Sequence, residues 1–323
     1  MKRKIKSILI IFTIVLITIL LLLYPDDVLK SVLFSIKIWK ENVFPSLFPF
    51  FIISYFLINY GFIDFLGELT KNVMAKLFYL PGEASFVILG SMISGFPSSG
   101  KYIKDIYDKK LINEKEASYL LSFTHFSNPL FIVGTIGINL LHNKNIGFVI
   151  LIIHILSNFI IAFIFRPKEN KYKNNSTVIS LNKALDKAHH KIMNNNFGIV
   201  LSNSINNTIN TLLSILGIIC VFLVLSKLIN NLFSFNSLVN SAISGILEMT
   251  GGVNNISLLN LPNNLKASLI TFIISFGGLS VHAQIISIIS DTPIKYKYYL
   301  ISRIYHAFIS SSLVFLILNF INY

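Results

Sequence analysis

The chain has 323 residues, 54% hydrophobic and 13% charged, with a mean hydropathy of +0.70. That is too apolar for a soluble globular domain and marks an integral membrane protein. The net charge of +13 would suit nucleic acid, but the basic residues fall mostly between apolar segments, where they orient a chain in lipid, so no nucleic-acid partner is expected. The single cysteine, Cys220, lies in an apolar run and excludes a disulfide framework or a cysteine-ligated zinc.

Ser7–Leu23 is an almost unbroken apolar run near the roughly 20 residues that cross a bilayer. Lys2, Arg3, Lys4 and Lys6 precede it as in a signal peptide, but Tyr24, Pro25, Asp26 and Asp27 follow in place of a small-residue cleavage site, which predicts a retained anchor over 1–27. Phe44–Tyr60 is the next span. Ala84–Ile93 is too short to cross and stops at a Gly/Ser-rich break, which predicts the first of two re-entrant helical hairpins.

The tip of that hairpin, Gly95 to Lys101 (GFPSSGK), fits seven positions of the phosphate loop G-x-x-x-x-G-K and fails at the eighth, where Tyr102 replaces the magnesium-binding Ser or Thr. Pro97 removes one cradling amide, the segment before it reads as helix and not strand, and no second nucleotide motif exists. Neither a nucleotide nor any other cofactor is expected. At membrane depth the same residues make a solute-binding turn: Gly95, Gly100 and Pro97 shape the backbone, Ser98 and Ser99 offer hydroxyls, and the helix after them presents free amides to an anion. Lys101 adds charge there or serves only as a topology-setting lysine.

Glu114–Phe123 and Leu130–Leu141 read as halves of a broken transmembrane helix, separated by Thr124–Pro129, with Ser127 and Asn128 free to meet a ligand or to satisfy the opened backbone. Ile146–Phe165 spans, and its His154 reads as packing. Residues 167–196, rich in Asn and Lys, predict a cytoplasmic linker with an amphipathic helix near Leu181–Ile192 and solvated His189 and His190; no metal site is expected. Thr211–Leu228 spans. Ala267–Ile274 is another short run, stopped by SFGGLS, which predicts the second re-entrant hairpin: Gly277 and Gly278 break the helix, and Ser275, Ser280, His282 and Gln284 supply polar groups, Ser280 and Gln284 on one face. Hydrogen bonds between helices compete with solute for those groups. Tyr298–Phe320 closes the chain, with Arg303 and His306 as further candidates for holding an anion.

Leu66–Val73 (LGELTKNV) resembles Ile246–Val253 (ILEMTGGV) 180 residues later, and LP and IS pairs recur at nearly the same offset, which suggests duplication. Three crossings between the copies would invert the second. The expectation is an all-α polytopic protein with inverted repeats, two re-entrant hairpins and broken transmembrane helices: a first gate-like repeat over 28–166, the linker, and a second over 197–323. Lysines and arginines cluster in the segments this topology puts inside, and 228–265 contains none, with Lys227 and Lys266 at its edges, so the N-terminus is expected in the cytoplasm. No H-E-x-x-H, nucleophile elbow or productively spaced carboxylate pair appears, and no enzyme is expected.

The stretches Asn42–Ile52 (NVFPSLFPFFI), Ile93–Lys101 (ISGFPSSGK), Leu120–Ile132 (LLSFTHFSNPLFI), Leu247–Gly252 (LEMTGG) and Phe276–Gln284 (FGGLSVHAQ) resemble, in order, the YlbJ-type sporulation integral membrane proteins. Those proteins carry a nucleoside-recognition, or gate, module similar to part of the concentrative nucleoside transporters. The resemblance implies a transporter in the mother-cell-derived membrane around the forespore, with dipicolinate as cargo and lipid as its surroundings. Serines and amides would also suit a nucleoside-like solute, and a homo-oligomer is compatible. The competing expectation is a non-transporting scaffold for spore envelope assembly that recruits partners through 167–196.

Overall fold

The computed structural model describes residues 2–172, 181–233 and 235–321, all helical or connecting. Helix α1 (Lys2–Leu23) buries only Leu20 against the rest of the chain, leaving the remaining apolar surface to lipid. Helix α2 (Pro25–Ile38) starts on Pro25 with Asp26 and Asp27 in its first turn, both favourable at a helix N-terminus. It continues through a π-helical turn, Trp39–Val43, into α3 (Phe44–Asn59). The span expected from Phe44 is therefore the end of one apolar element, Pro25–Asn59. The Trp39 indole donates to the Leu212 carbonyl at 2.8 Å and pins the π turn to a later helix.

Helix α4 (Phe62–Leu77) is amphipathic and pairs Glu68 with Lys71. Helices α5 (Ala84–Ser94) and α6 (Ser98–Asp108) pack on each other around Gly95–Pro97, the Tyr102 ring lying against Phe86 at 5.6 Å. Helix α7 (Glu114–Phe123) starts on a reciprocal cap between Asn113 and Glu116 and ends at Thr124. After the break, the chain resumes as a π-helical segment, Phe131–Leu140, then α8 (Lys144–Ile164). Linker helix α9 (Leu181–Asn194) lies on α4, with Lys191 2.5 Å from Asp64. Residues 173–180 of the expected linker lie outside the described residues.

The second half comprises α10 (Phe197–Leu232), α11 (Ser237–Leu247), α12 (Met249–Ser257), α13 (Asn263–Phe276), α14 (Gly278–Ile289) and α15 (Tyr296–Phe320). Among the described residues six elements are long and apolar enough to cross a membrane: Lys4–Leu23, Pro25–Asn59, Lys144–Ile164, Phe197–Leu232, Asn263–Ile289 and Tyr296–Phe320.

Two expectations about the second half change. The pair that packs as a hairpin there is α11 and α12, meeting at Glu248, where Gly245 and Gly252 come so close that a Cβ on Gly252 would lie 2.1 Å from the Gly245 Cα. Helices α13 and α14 do not pack on one another: α13 lies along α15, whereas α14 lies against α6, α10 and α11. They are two parts of one interrupted span, bent at Gly277 and Gly278, whose φ of 91° and 66° are left-handed.

The repeat register moves accordingly. Glu68 sits inside a helix and Glu248 between two helices, so the 180-residue correspondence joins unlike places. By sequence and element order, Ser91-x-Ile93-Ser94-Gly95 at the end of α5 corresponds to Ser241-x-Ile243-Ser244-Gly245 near the end of α11, the first helix of each hairpin. The same order pairs Leu121-Ser122-Phe123 with Ile274-Ser275-Phe276, both ending a helix at a break, and His154 with His306 on the long helices that follow. Each half thus runs hairpin, broken span, long helix.

Candidate functional site

A helix interrupted inside a membrane leaves carbonyls and amides with no water to bond, at several kcal/mol each, so the first demand on nearby polar side chains is to satisfy backbone. Arg303, buried on α15, donates to the Ser122 carbonyl at 2.6 Å, to Asn158 Oδ1 at 3.2 Å and to His306 Nδ1 at 2.9 Å. Its positive charge thus sits at the C-terminal end of α7, where the helix dipole is negative. Asn158 in turn donates to the His125 carbonyl at 2.7 Å. His125 faces the Ile274 carbonyl through Nε2 (3.3 Å) and the Tyr299 hydroxyl through Nδ1 (2.8 Å). His282 faces the Phe276 carbonyl through Nε2 (3.0 Å) and the Tyr296 hydroxyl through Nδ1.

The Ser127 amide donates to His154 Nε2 at 3.1 Å, which puts the His154 proton on Nδ1, 3.1 Å from Ser275 Oγ; Ser310 also donates to that oxygen at 2.8 Å. This network ties the first break to the second and both to α8 and α15. His154, expected to be a packing residue, is part of it. Ser275, His282, Arg303 and His306, expected to face solute, are committed to it.

The hairpin tips dock on the breaks. Phe96 donates its amide to the Phe126 carbonyl at 2.7 Å, and its ring stacks on His125 at 4.4 Å. A Cβ on Gly95 would lie 2.6 Å from the Asn128 amide nitrogen, so the first tip needs glycine for both contact and its φ of 80°. On the other side, a Cβ on Gly278 would lie 3.0 Å from the Met249 amide nitrogen, and one on Gly277 2.8 Å from the His125 ring. First tip, first break, second break and second tip therefore touch in that sequence.

These four interruptions share a cavity of about 440 Å³. The first tip contributes Ser94, Phe96 and Pro97, the first break Ser127 and Asn128, the second tip Glu248 and Thr250, and the second break Val281 and Gln284. The π turn and the start of α3 add Glu41, Asn42 and Ser46, and Ile215 and Ile219 of α10 close the wall. Among the described residues its charged lining is two carboxylates, Glu41 and Glu248, with no lysine or arginine. Glu248 is buried and accepts from the Gly251 amide at 2.9 Å, capping α12. Ser127 belongs to the wall, and its Oγ is buried without a protein partner.

Of the residues singled out from sequence, Pro97, Ser127, Asn128 and Gln284 line this cavity, and Gly95, Gly277 and Gly278 shape it from behind. Ser98 turns into the first hairpin, bonding the Gly95 carbonyl and Ser94. Ser99 Oγ is buried and unpartnered but not on the cavity wall. Ser280 accepts from Gln284 Nε2 at 3.2 Å, on the shared helical face the spacing implies. Lys101 pairs with Asp105 and lines a second cavity of about 370 Å³ with Lys104, Gln284, Ser287 and Asp291. Sequence reasoning assigned no site role to Ser94, Phe96, Glu41 or Asn42. The recurrence of S-x-I-S-G at both tips was the available signal for Ser94.

Among the described residues the chain is all-helical, with six candidate spans and two helical hairpins docked on two broken helices, which makes it a multi-pass integral membrane protein. The Gate family, described as nucleoside recognition, matches residues 41–144, which include the first hairpin and break. The sporulation integral membrane protein YlbJ of Bacillus subtilis (strain 168) is 30% identical over 93% of this chain and 80% of its own length. The chain belongs to the family of YlbJ-type sporulation integral membrane proteins, and with that membership it is a membrane protein and not an enzyme. No solved structure matches it.

Proposed function

We propose that the chain is a sporulation transporter that carries a small organic solute across the membrane around the forespore, by exposing the cavity between its tips and breaks to each side in turn. In this reading the repeats are inverted, the hairpins are re-entrant, and the N-terminus lies in the cytoplasm. The observation that carries the reading is the convergence of four helix interruptions on one cavity: irregular backbone at membrane depth is tolerated where it is buried in protein or lines a cavity, and substrate sites lie between such repeats.

Dipicolinate is the proposed cargo. Pro97, Ser127, Asn128 and Gln284 offer shape, hydroxyl and amide contacts, joined by Ser94 and Thr250. Glu41 and Glu248 disfavour a bare dianion in that cavity, so the anion is proposed to bind with its charge offset by a proton or a metal cation. Uptake of labelled dipicolinate and of nucleosides into proteoliposomes, with and without proton and sodium gradients, tests this. Dipicolinate uptake above nucleoside uptake, reduced by Asn128→Ala at unchanged protein level, is expected. Uptake of neither solute, with sporulation lost only on deletion of the 167–196 linker, would establish the scaffold instead.

A further inference from the structure

Two cavities flank α14, and Gln284 and Ile215 belong to the walls of both. Along α10, the lining of the 370 Å³ cavity runs from Asn207 through Asn210 and Ser214 to Ile218, and that of the 440 Å³ cavity, at Ile215 and Ile219, overlaps its far end. At about 1.5 Å per residue, this covers roughly 18 Å of helix, more than half the hydrocarbon thickness. Along α14 the order reverses: Val281 and Gln284 face the larger cavity, then Gln284 and Ser287 the smaller. Helices α10 and α14 pack on each other with these walls between them, so the cavities lie end to end along one seam.

The two ends also differ in chemistry. The larger cavity carries Glu41 and Glu248, and the smaller carries Lys101, Lys104 and Asp291. The mouth of the smaller is bridged by Lys104 on α6, whose ammonium lies 2.7 Å from each oxygen of Asp291, just past the end of α14. Lys104 also lies 3.3 Å from Asp108 on its own helix. The bridge ties the outgoing arm of the first hairpin to the far end of the second broken span.

We propose that these cavities are the two vestibules of one path, open to opposite faces of the membrane, with Gln284 and Ile215 as the barrier and the Lys104–Asp291 pair as the latch that holds it shut. The smaller vestibule faces the side of the linker, where α10 begins. Its lysines are held in ion pairs with Asp105, Asp108 and Asp291, and Gln284, common to both walls, is the group a solute passes on the way through. The latch is half exposed, and so weak enough to open in a transport cycle. The ammonium of Lys104 holds the Asp291 carboxyl below its ordinary range, so the pair is complete at neutral pH. This inference rests on the transport reading but is tested without any solute.

In a Cys220→Ser background, single cysteines at Ser46, Asn210, Ser287, Gln284 and Ile215 are treated with a charged, membrane-impermeant maleimide on one face of sealed vesicles at a time. Ser46→Cys is expected to react from one face only, and Asn210→Cys and Ser287→Cys from the opposite face only. Gln284→Cys and Ile215→Cys react slowly from the second face, and adding Asp291→Asn speeds them about fivefold, the scale of one exposed ion pair. The exchange Lys104→Asp with Asp291→Lys restores the slow rate, and unchanged labelling at Asn210→Cys confirms that the variants fold. Labelling of both cavities from the same face, or of neither, overturns the path. Unchanged barrier labelling in Asp291→Asn overturns the latch. Correct sidedness without solute uptake leaves the path standing and counts against the transport reading alone.

Discussion

The first and second halves solve the same problem with different residues. The first break is opened by Pro129 and spans several non-helical residues, and it borrows Arg303, Asn158 and His154 from neighbouring helices to satisfy its backbone. The second break is two glycines in left-handed conformation with no intervening loop, and its carbonyls at Ile274, Phe276 and Ser275 meet His125, His282 and His306. The tips differ likewise: the first is rich in hydroxyls and uncharged at the cavity, whereas the second places Glu248 there. The two halves line the cavity with different groups, so in the proposed transport reading a solute would meet different chemistry on its two sides. This asymmetry suits a site that must hold one orientation of cargo.

The sharpest break of the comparison comes from the second hairpin. Gly252→Ala puts a methyl into the Gly245 backbone and is expected to cost more than about 3 kcal/mol, seen as loss of folded protein on size exclusion in detergent. Gly217→Ala, with open space around it on α10, stays within about 1 kcal/mol of the parent in thermal unfolding.

Next in size, Arg303→Ala leaves the Ser122 carbonyl, Asn158 Oδ1 and His306 Nδ1 without their donor. It is expected to destabilise by about 3 kcal/mol and to expose the first break to proteolysis, with Arg303→Lys recovering part of the loss.

A paired comparison of serines follows. Ser275→Ala removes an oxygen that bonds both His154 and Ser310, and it should lower stability by about 1–2 kcal/mol. Ser127→Ala removes an unpartnered hydroxyl and should leave stability within about 0.5 kcal/mol while raising the KM for uptake up to about tenfold. Equal stability losses at the two positions would show that Ser127 belongs to the network and not to the cavity. Smallest, Glu248→Gln keeps the cap on Gly251 and removes a cavity charge. Binding of dipicolinate, measured by calorimetry, is expected to tighten by about threefold, and a weakening would mean that Glu248 carries the offsetting proton or holds the offsetting cation.

Much of the arrangement was legible because the signals are local. Pro129, Gly95 and the Gly277-Gly278 pair interrupt helices wherever they fall, and the Ser280–Gln284 spacing fixes a shared face on any helix. The fate of each polar side chain was not local. His282 and Ser275 have the same credentials as Ser127 in sequence, yet His282 is consumed by the Phe276 carbonyl across its own break and Ser275 by Ser310 and His154 from helices distant in the chain.

The sequence by itself determined the membrane class and the interruptions at Gly95, Pro129 and Gly277-Gly278, since apolar run length and backbone-breaking residues act within a few residues of themselves. Only the tertiary structure decided that α11 and α12, and not α13 and α14, form the second hairpin. The approach of Gly245 to Gly252 and the packing of α13 along α15 are contacts between elements, and no local pattern dictates them. The same contacts carry Glu248 to the cavity and withdraw Arg303 from it. The membrane allows no unsatisfied backbone, so tertiary contacts settle which polar groups remain for the solute.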